Sequence, residues 1–168
     1  SHIFVSGCSI QGTDDNLCLQ SSSLPVNDVH ISNCSFSSVC AAIRIGLKSI
    51  GSISDVHISH CSMKNVWREG IKIECSEGGN ISDINIQDIT MNDVSRPIFI
   101  LLNNRFEPDD LGSSLELDHI PEIGTMSDII ISDIIASDSD EMRNTHYRFD
   151  DDVMGSPKFA GIRIDAEK

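Results

Sequence analysis

Apolar and polar positions alternate along much of the chain in short runs, and the runs recur. DVHISNCSF at 28–36, DVHISHCSM at 55–63, DINIQDITM at 83–91 and DIIISDIIA at 128–136 share one frame, and HIFVSGCSI at 2–10 fits it. In that frame Cys8, Cys34, Cys61, Ile89 and Ile134 are equivalent, at steps of 26, 27, 28 and 45 residues. A second alternating run follows each of these: LCLQ at 17–20, IRIG at 43–46, IKIE at 71–74, IFIL at 98–101 and IRID at 162–165. Period-two alternation marks a half-buried strand. Turn-forming stretches, GTDD, SSSLP, GSISD and SEGGN, separate the runs. No segment combines a helix start with a 3.6-residue period.

A repeat of 26–28 residues with two or three short strands and no helix predicts an all-β fold, a parallel β-helix. Each repeat forms one coil, about five in all, over residues 1–168 as a single domain. Equivalent residues of successive coils then stack at ~4.8 Å. A leucine-rich repeat would need Leu-rich frames with an Asn or Cys pivot, whereas this chain is rich in Ile, Val and Ser. A β-sandwich would not keep residue identity from coil to coil. Two excursions interrupt the frame, at about 103–124 and about 137–159. Both are acidic, and they read either as loops on a binding face or as solvated surface. A strand begins within the first residues, with nothing resembling the capping coil that a solenoid end needs. The chain is therefore expected to be the C-terminal part of a longer helix.

Of the 168 residues, 39% are hydrophobic and only 5% aromatic, so the core is built from small and β-branched side chains. Twelve Lys+Arg against 26 Asp+Glu give a net charge of −14. That excludes the basic footprint of a nucleic-acid binder. No run of about 18 apolar residues exists to span a membrane. Residues 1–10 lack the basic and long apolar regions of a signal peptide. Residues 1–80 carry a net −2 and residues 81–168 a net −12, so the two halves present different surfaces.

Six cysteines suggest a metal or disulfide framework. The frame favours a core ladder instead: Cys8, Cys34 and Cys61 share one inward position, continued by Ile89 and Ile134. There is no CxxC pair and no Cys–His spacing suited to zinc, so neither a metal nor a cofactor is expected. His30 and His57, matched next by Asn85, point outward as a stacked polar row.

The outward positions of the second strand read Cys18, Arg44, Lys72, Phe99 and Arg163, coil by coil. Arg44 and Lys72 are like charges on neighbouring coils. They either splay into water or share an anion. Just before this strand stands Asp14–Asp15, aligned with Cys40–Ala41 and then with Arg68–Glu69. Glu69 thus lies two coils from Asp15 on the same face, roughly 9–10 Å away. Paired carboxylates across a groove suit glycoside hydrolysis, one as acid for the leaving oxygen and one as base for water. Separations of ~6.5–9.5 Å suit inversion.

GTDDNLCLQS, AAIRIGLKS, REGIKIECSEGGNISDINIQDITM and RPIFILLNNR, in this order, resemble glycoside hydrolase family 28. The family comprises polygalacturonases and rhamnogalacturonan hydrolases, which are right-handed parallel β-helices. The likeness covers about residues 1–105, extends loosely to GIRIDAEK, and is strongest toward the bacterial branch. It implies that Asp14 is the general acid and that Asp15 helps hold the attacking water. The family's second water-holding Asp would lie upstream of residue 1. Its active-site His falls at Ala41, and its Arg-Ile-Lys motif falls on Lys72-Ile73-Glu74. A Glu in place of that Lys repels a sugar carboxylate, which points to a different sugar at the cleavage subsite, such as rhamnose beside galacturonate.

The expectation is therefore an inverting hydrolase of pectic polysaccharide that needs no cofactor. Arg44 and Lys72 contact an anionic glycan, while Glu69 and Glu74 shape the subsite. Such an enzyme belongs outside the cell or in the periplasm, with a cytoplasmic location open. A non-catalytic carbohydrate-binding or structural β-helix is the alternative. A polysaccharide lyase, which would need calcium or a basic proton abstractor, is a third.

Overall fold

The computed structural model describes residues 2–106, 120–139 and 161–166. Residues 107–119 and 140–160, which carry most of the two excursions, lie outside the described residues. Among the described residues, ten strands form a parallel β-solenoid of about four turns. The first rung holds β1 (Ile3–Ser6), β2 (Ser9–Gly12) and β3 (Leu17–Ser21). The second holds β4 (Val26–Ser32), β5 (Ser35–Ser38) and β6 (Ile43–Ser49). In the next two, single long strands run round all the faces: β7 (Ser52–Cys75) and β8 (Asn80–Leu102). β9 (Thr125–Ser137) and β10 (Ile162–Ala166) complete the stack. The expectation of about five coils counted strand positions, and five stacked positions bound only four full turns.

The register follows the repeat frame. Val29 pairs with Val56 and Val56 with Ile84, which in turn pairs with Ile129. Ile43, Ile71 and Ile98 form a second inward column, ending at Ile162. In the middle rungs these side chains are fully buried, Val56, Ile71 and Ile98 among them. A buried aliphatic side chain of this kind contributes about 1.5–3 kcal/mol. Stacking explains how a chain so poor in aromatic residues fills its interior.

The strands turn between faces at single left-handed residues. One column of bends is Asp28, Asp55, Asp83 and Asp128, with φ of 54° to 58°. Another is Gly7, Asn33, His60, Asp88 and Asp133. Gly, Asn, Asp and His are the residues that tolerate this conformation. The polar letters that punctuate each repeat are thus corner residues. The bend also explains why one long strand can wrap several faces.

The cysteine ladder holds in part. Cys34 and Cys61 are buried against the core, with Ile89 continuing the column. Cys8, expected to be buried with them, is exposed; among the described residues β1 pairs only with β4 and β2 only with β5, so this rung is stacked on one side. All six thiols are free. His30 and His57 stack at 5.0 Å on the outer surface, and Phe4 extends the stack at 4.9 Å.

Candidate functional site

The face formed by β3, β6, the last third of β7, the end of β8 and β10 gathers the candidate residues. Cys18, Arg44, Lys72, Phe99 and Arg163 occupy one outward row, each paired in register with the next. Asp14 and Asp15 sit in the turn between β2 and β3, at the start of that row.

Two contacts fix Asp15. Its Oδ1 accepts the Ala41 N–H at 2.9 Å, and its Oδ2 accepts Arg44 Nη1 at 2.9 Å. The backbone amide of Ala41 thus anchors the acid. Asp14 is exposed. Its Oδ1 accepts the Asp15 N–H at 2.7 Å, and its carbonyl accepts Ser38 Oγ at 2.6 Å. The turn is therefore held on both sides while the Asp14 carboxylate faces solvent.

Arg44 and Lys72 are bridged, and the anion between them comes from the chain itself. Glu74 Oε2 accepts Arg44 Nη2 at 2.5 Å and Lys72 Nζ at 2.8 Å. Burial pushes the Glu74 carboxyl up, but Lys72 and Arg44 outweigh burial and hold it below its ordinary range. Burial works against the Arg44 charge, and Glu74 and Asp15 overcome this and raise its pKa. Gly46 lies opposite Glu74 in the register, at φ +99°. A Cβ there would fall 1.8 Å from the Glu74 carbonyl oxygen, so only glycine lets the strands close at this rung.

Glu69 does not serve as the distant partner carboxylate that its spacing suggests. It is only 2% exposed. Arg96 Nη1 donates to its Oε1 at 3.1 Å, and Arg68 Nε lies 3.4 Å from its Oε2. A carboxylate buried beneath two guanidiniums cannot present a water to a glycan. The pairing was readable from the frame, because Arg96 follows Glu69 at the same position one coil later.

Phe99 is also covered. Lys72 Nζ lies 5.5 Å from its ring centroid, Arg96 Cζ 4.9 Å and Arg163 Cζ 5.8 Å. Three cations therefore stand within cation–π range of one ring. The outward row contained this signal, since an aromatic residue between basic neighbours stacks on both sides.

Asp14, Asp15 and Cys40 each bring one ligand atom within 4.8 Å of the others. The Arg44 guanidinium beside Asp15 opposes a cation there. Burial raises the Cys40 thiol, with Asp14 and Asp15 adding to the shift against Arg68. Burial and then Asp15 push Cys18 up to about 11. Both thiols stay protonated near neutral pH and are poor nucleophiles.

Of the candidate carboxylates Asp14, Asp15, Glu69 and Glu74, Asp14 is thus the one open to solvent. Comparison with protein-family models, with curated proteins and with solved structures returned no match.

Proposed function

We propose that this protein hydrolyses glycosidic bonds in a pectic polysaccharide by an inverting acid–base mechanism. Asp14 is the acid that protonates the leaving oxygen, and Asp15 orients the attacking water. The observation that carries the reading is the contrast between adjacent carboxylates. Asp14 is open to solvent, whereas Asp15 has both oxygens engaged by the Ala41 amide and Arg44. A carboxylate engaged at both oxygens is a poor nucleophile, and Asp15, 12% exposed where Glu69 is 3%, keeps free lone pairs for a water. That favours inversion, although the Asp14 and Asp15 ligand atoms lie closer than the ~6.5–9.5 Å usual for an inverting pair.

Glu74 supports a neutral sugar beside Lys72. Together with Asp15 on Arg44 it takes up the charge of Lys72 and Arg44, so neither cation is available to a carboxylate at that subsite. The substrate that fits is a glycan alternating neutral and acidic residues, of the rhamnogalacturonan type.

One observation favours a second reading, a carbohydrate-binding β-helix without catalysis. Arg44 and Lys72 close their charges on Glu74, and Glu69 closes on Arg68 and Arg96, as purely structural networks do.

Product analysis on rhamnogalacturonan and on polygalacturonate, with Asp14→Asn beside the wild type, decides between them. Asn keeps the shape and hydrogen-bonding capacity of Asp14 but cannot titrate. Turnover of the better substrate is expected to fall about 10²–10⁴-fold while glycan binding survives. Normal turnover by Asp14→Asn refutes the assignment of the acid. Glycan binding with no turnover by the wild type establishes the second reading.

A further inference from the structure

Two outward rows change character at β9. One reads His30, His57 and Asn85 and then Ile130, and the next reads Ser35, Ser62 and Thr90 and then Ile135. Ile130 is 60% exposed and Ile135 67%. An outward isoleucine adds nothing to the core of its own rung. In these rows a side chain is covered by the residue stacked on it from the next rung, as His57 covers His30 at 5.0 Å. Among the described residues β9 pairs only with β8, so its other edge carries a row of unpaired backbone groups. Such edges are blunted in other proteins by lysine, proline or a bulge, and β9 contains neither lysine nor proline. Beside this edge a groove of about 470 Å³ is lined by Ile100, Leu102, Met126, Ile129, Ile131 and Ile162. Charge selects what fits there. The bends of β9 are Asp128 and Asp133, both exposed. By register they stack on Asp83 and Asp88, like on like. The fold shows how such a column is relieved: His60, the bend residue one rung before Asp88, places its Nε2 3.4 Å from the Asp88 carboxylate. Residues 120–139 and 161–166 hold Glu122, Asp128, Asp133, Asp138 and Asp165 against one base, Arg163. A second copy stacked end to end would set these acids against one another, whereas a basic strand would neutralise them.

We infer that the free edge of β9 docks a strand of a partner protein in which two basic residues, five apart, flank a run of apolar residues. The strand lies parallel to β9, like every other rung, and its backbone completes the hydrogen bonds of the edge. The five-residue spacing is that of Asp128 and Asp133, so each basic residue falls on one of these carboxylates. Side chains pointing inward enter the apolar groove, and those pointing outward cover Ile130 and Ile135. A strand with acidic residues at the two bends extends the aspartate columns and is rejected. The inference concerns the end of the solenoid and is independent of glycan binding and of catalysis by Asp14.

Fluorescence anisotropy of three labelled synthetic peptides with the full chain tests it. SKVIVSKVIVS carries the spacing, SEVIVSEVIVS reverses its charge, and SKKVIVSVIVS keeps its composition but puts the lysines side by side. The first is expected to bind about 10-fold more tightly than the second, as two ion pairs in place of two repulsions provide, and more tightly than the third. The double variant Ile130→Ser, Ile135→Ser weakens binding of SKVIVSKVIVS, and Asp133→Asn brings its affinity toward that of SKKVIVSVIVS. Both isoleucines are exposed and asparagine tolerates the left-handed bend, so these variants keep the fold. Ile50→Ser, at an exposed isoleucine in a turn away from β9, leaves binding unchanged. Equal affinity for the three peptides, binding of none, undiminished binding by the double isoleucine variant, or loss of binding in Ile50→Ser overturns the inference. Dimerisation of the chain that Ile130→Ser abolishes also overturns it and gives the edge to a second copy.

Discussion

Glu74→Gln isolates the most consequential charge in the candidate site. The Glu74 side chain is only 8% exposed and holds Arg44 and Lys72 through one oxygen. Glutamine preserves volume but removes the charge. Lys72 and Arg44 are then like charges on adjacent rungs. At ~4.8 Å and an effective dielectric of about 20 their repulsion is about 3–4 kcal/mol. Arg44 keeps Asp15 as a partner, so a loss of about 3 kcal/mol is expected, the lower end for breaking a buried ion pair. For a chain of this size that corresponds to a melting temperature lower by about 6–12 °C. The pH dependence follows from the same residue. The Glu74 pKa in the folded state lies below its ordinary 4.5. Its contribution is fully present above that ordinary value and is lost as pH falls through the lower folded value. Urea unfolding at pH 7 and at a series of acid pH values measures both effects. Wild type loses stability on acidification, and Glu74→Gln lacks this component of the acid limb. A variant within about 0.5 kcal/mol of wild type at pH 7, the range of an ordinary surface change, refutes the reasoning. So does an unchanged acid limb.

The free thiols are expected to react in a definite order. Native-state labelling at pH 8, followed by mass spectrometry, modifies Cys8 first and leaves Cys34 and Cys61 protected. Cys18 is exposed yet reacts slowly, because its pKa of about 11 leaves little thiolate. Equal rates for Cys8 and Cys61 contradict the packing described here. In the core, Ile58→Ala opens a cavity between Ile31 and Ile86 and is expected to cost about 2–5 kcal/mol in urea unfolding. A cost below 1 kcal/mol means that the stacked column is not the core.

The repeat frame alone carried the fold. A frame that recurs every 26–28 residues puts Val29, Val56, Ile84 and Ile129 in one column whatever the loops do, and parallel stacking follows from it. The same logic placed Cys18, Arg44, Lys72, Phe99 and Arg163 in a row and Asp14–Asp15 at its head, because lateral position in a solenoid is a function of sequence separation. The exposure of Cys8 was not legible in this way. Cys34 and Cys61 in the same frame are buried, and among the described residues Cys8 differs only in lying on a rung stacked on one side. Partner choice was decided by the tertiary structure as well. The frame states which residues are neighbours, but side-chain reach decides which charges meet. Glu74 bends back to both Arg44 and Lys72, Arg96 reaches across a rung to Glu69, and three cations converge on Phe99. Those contacts depend on burial and on long, flexible side chains. They separate Asp14, open to solvent, from the carboxylates that the fold keeps for itself.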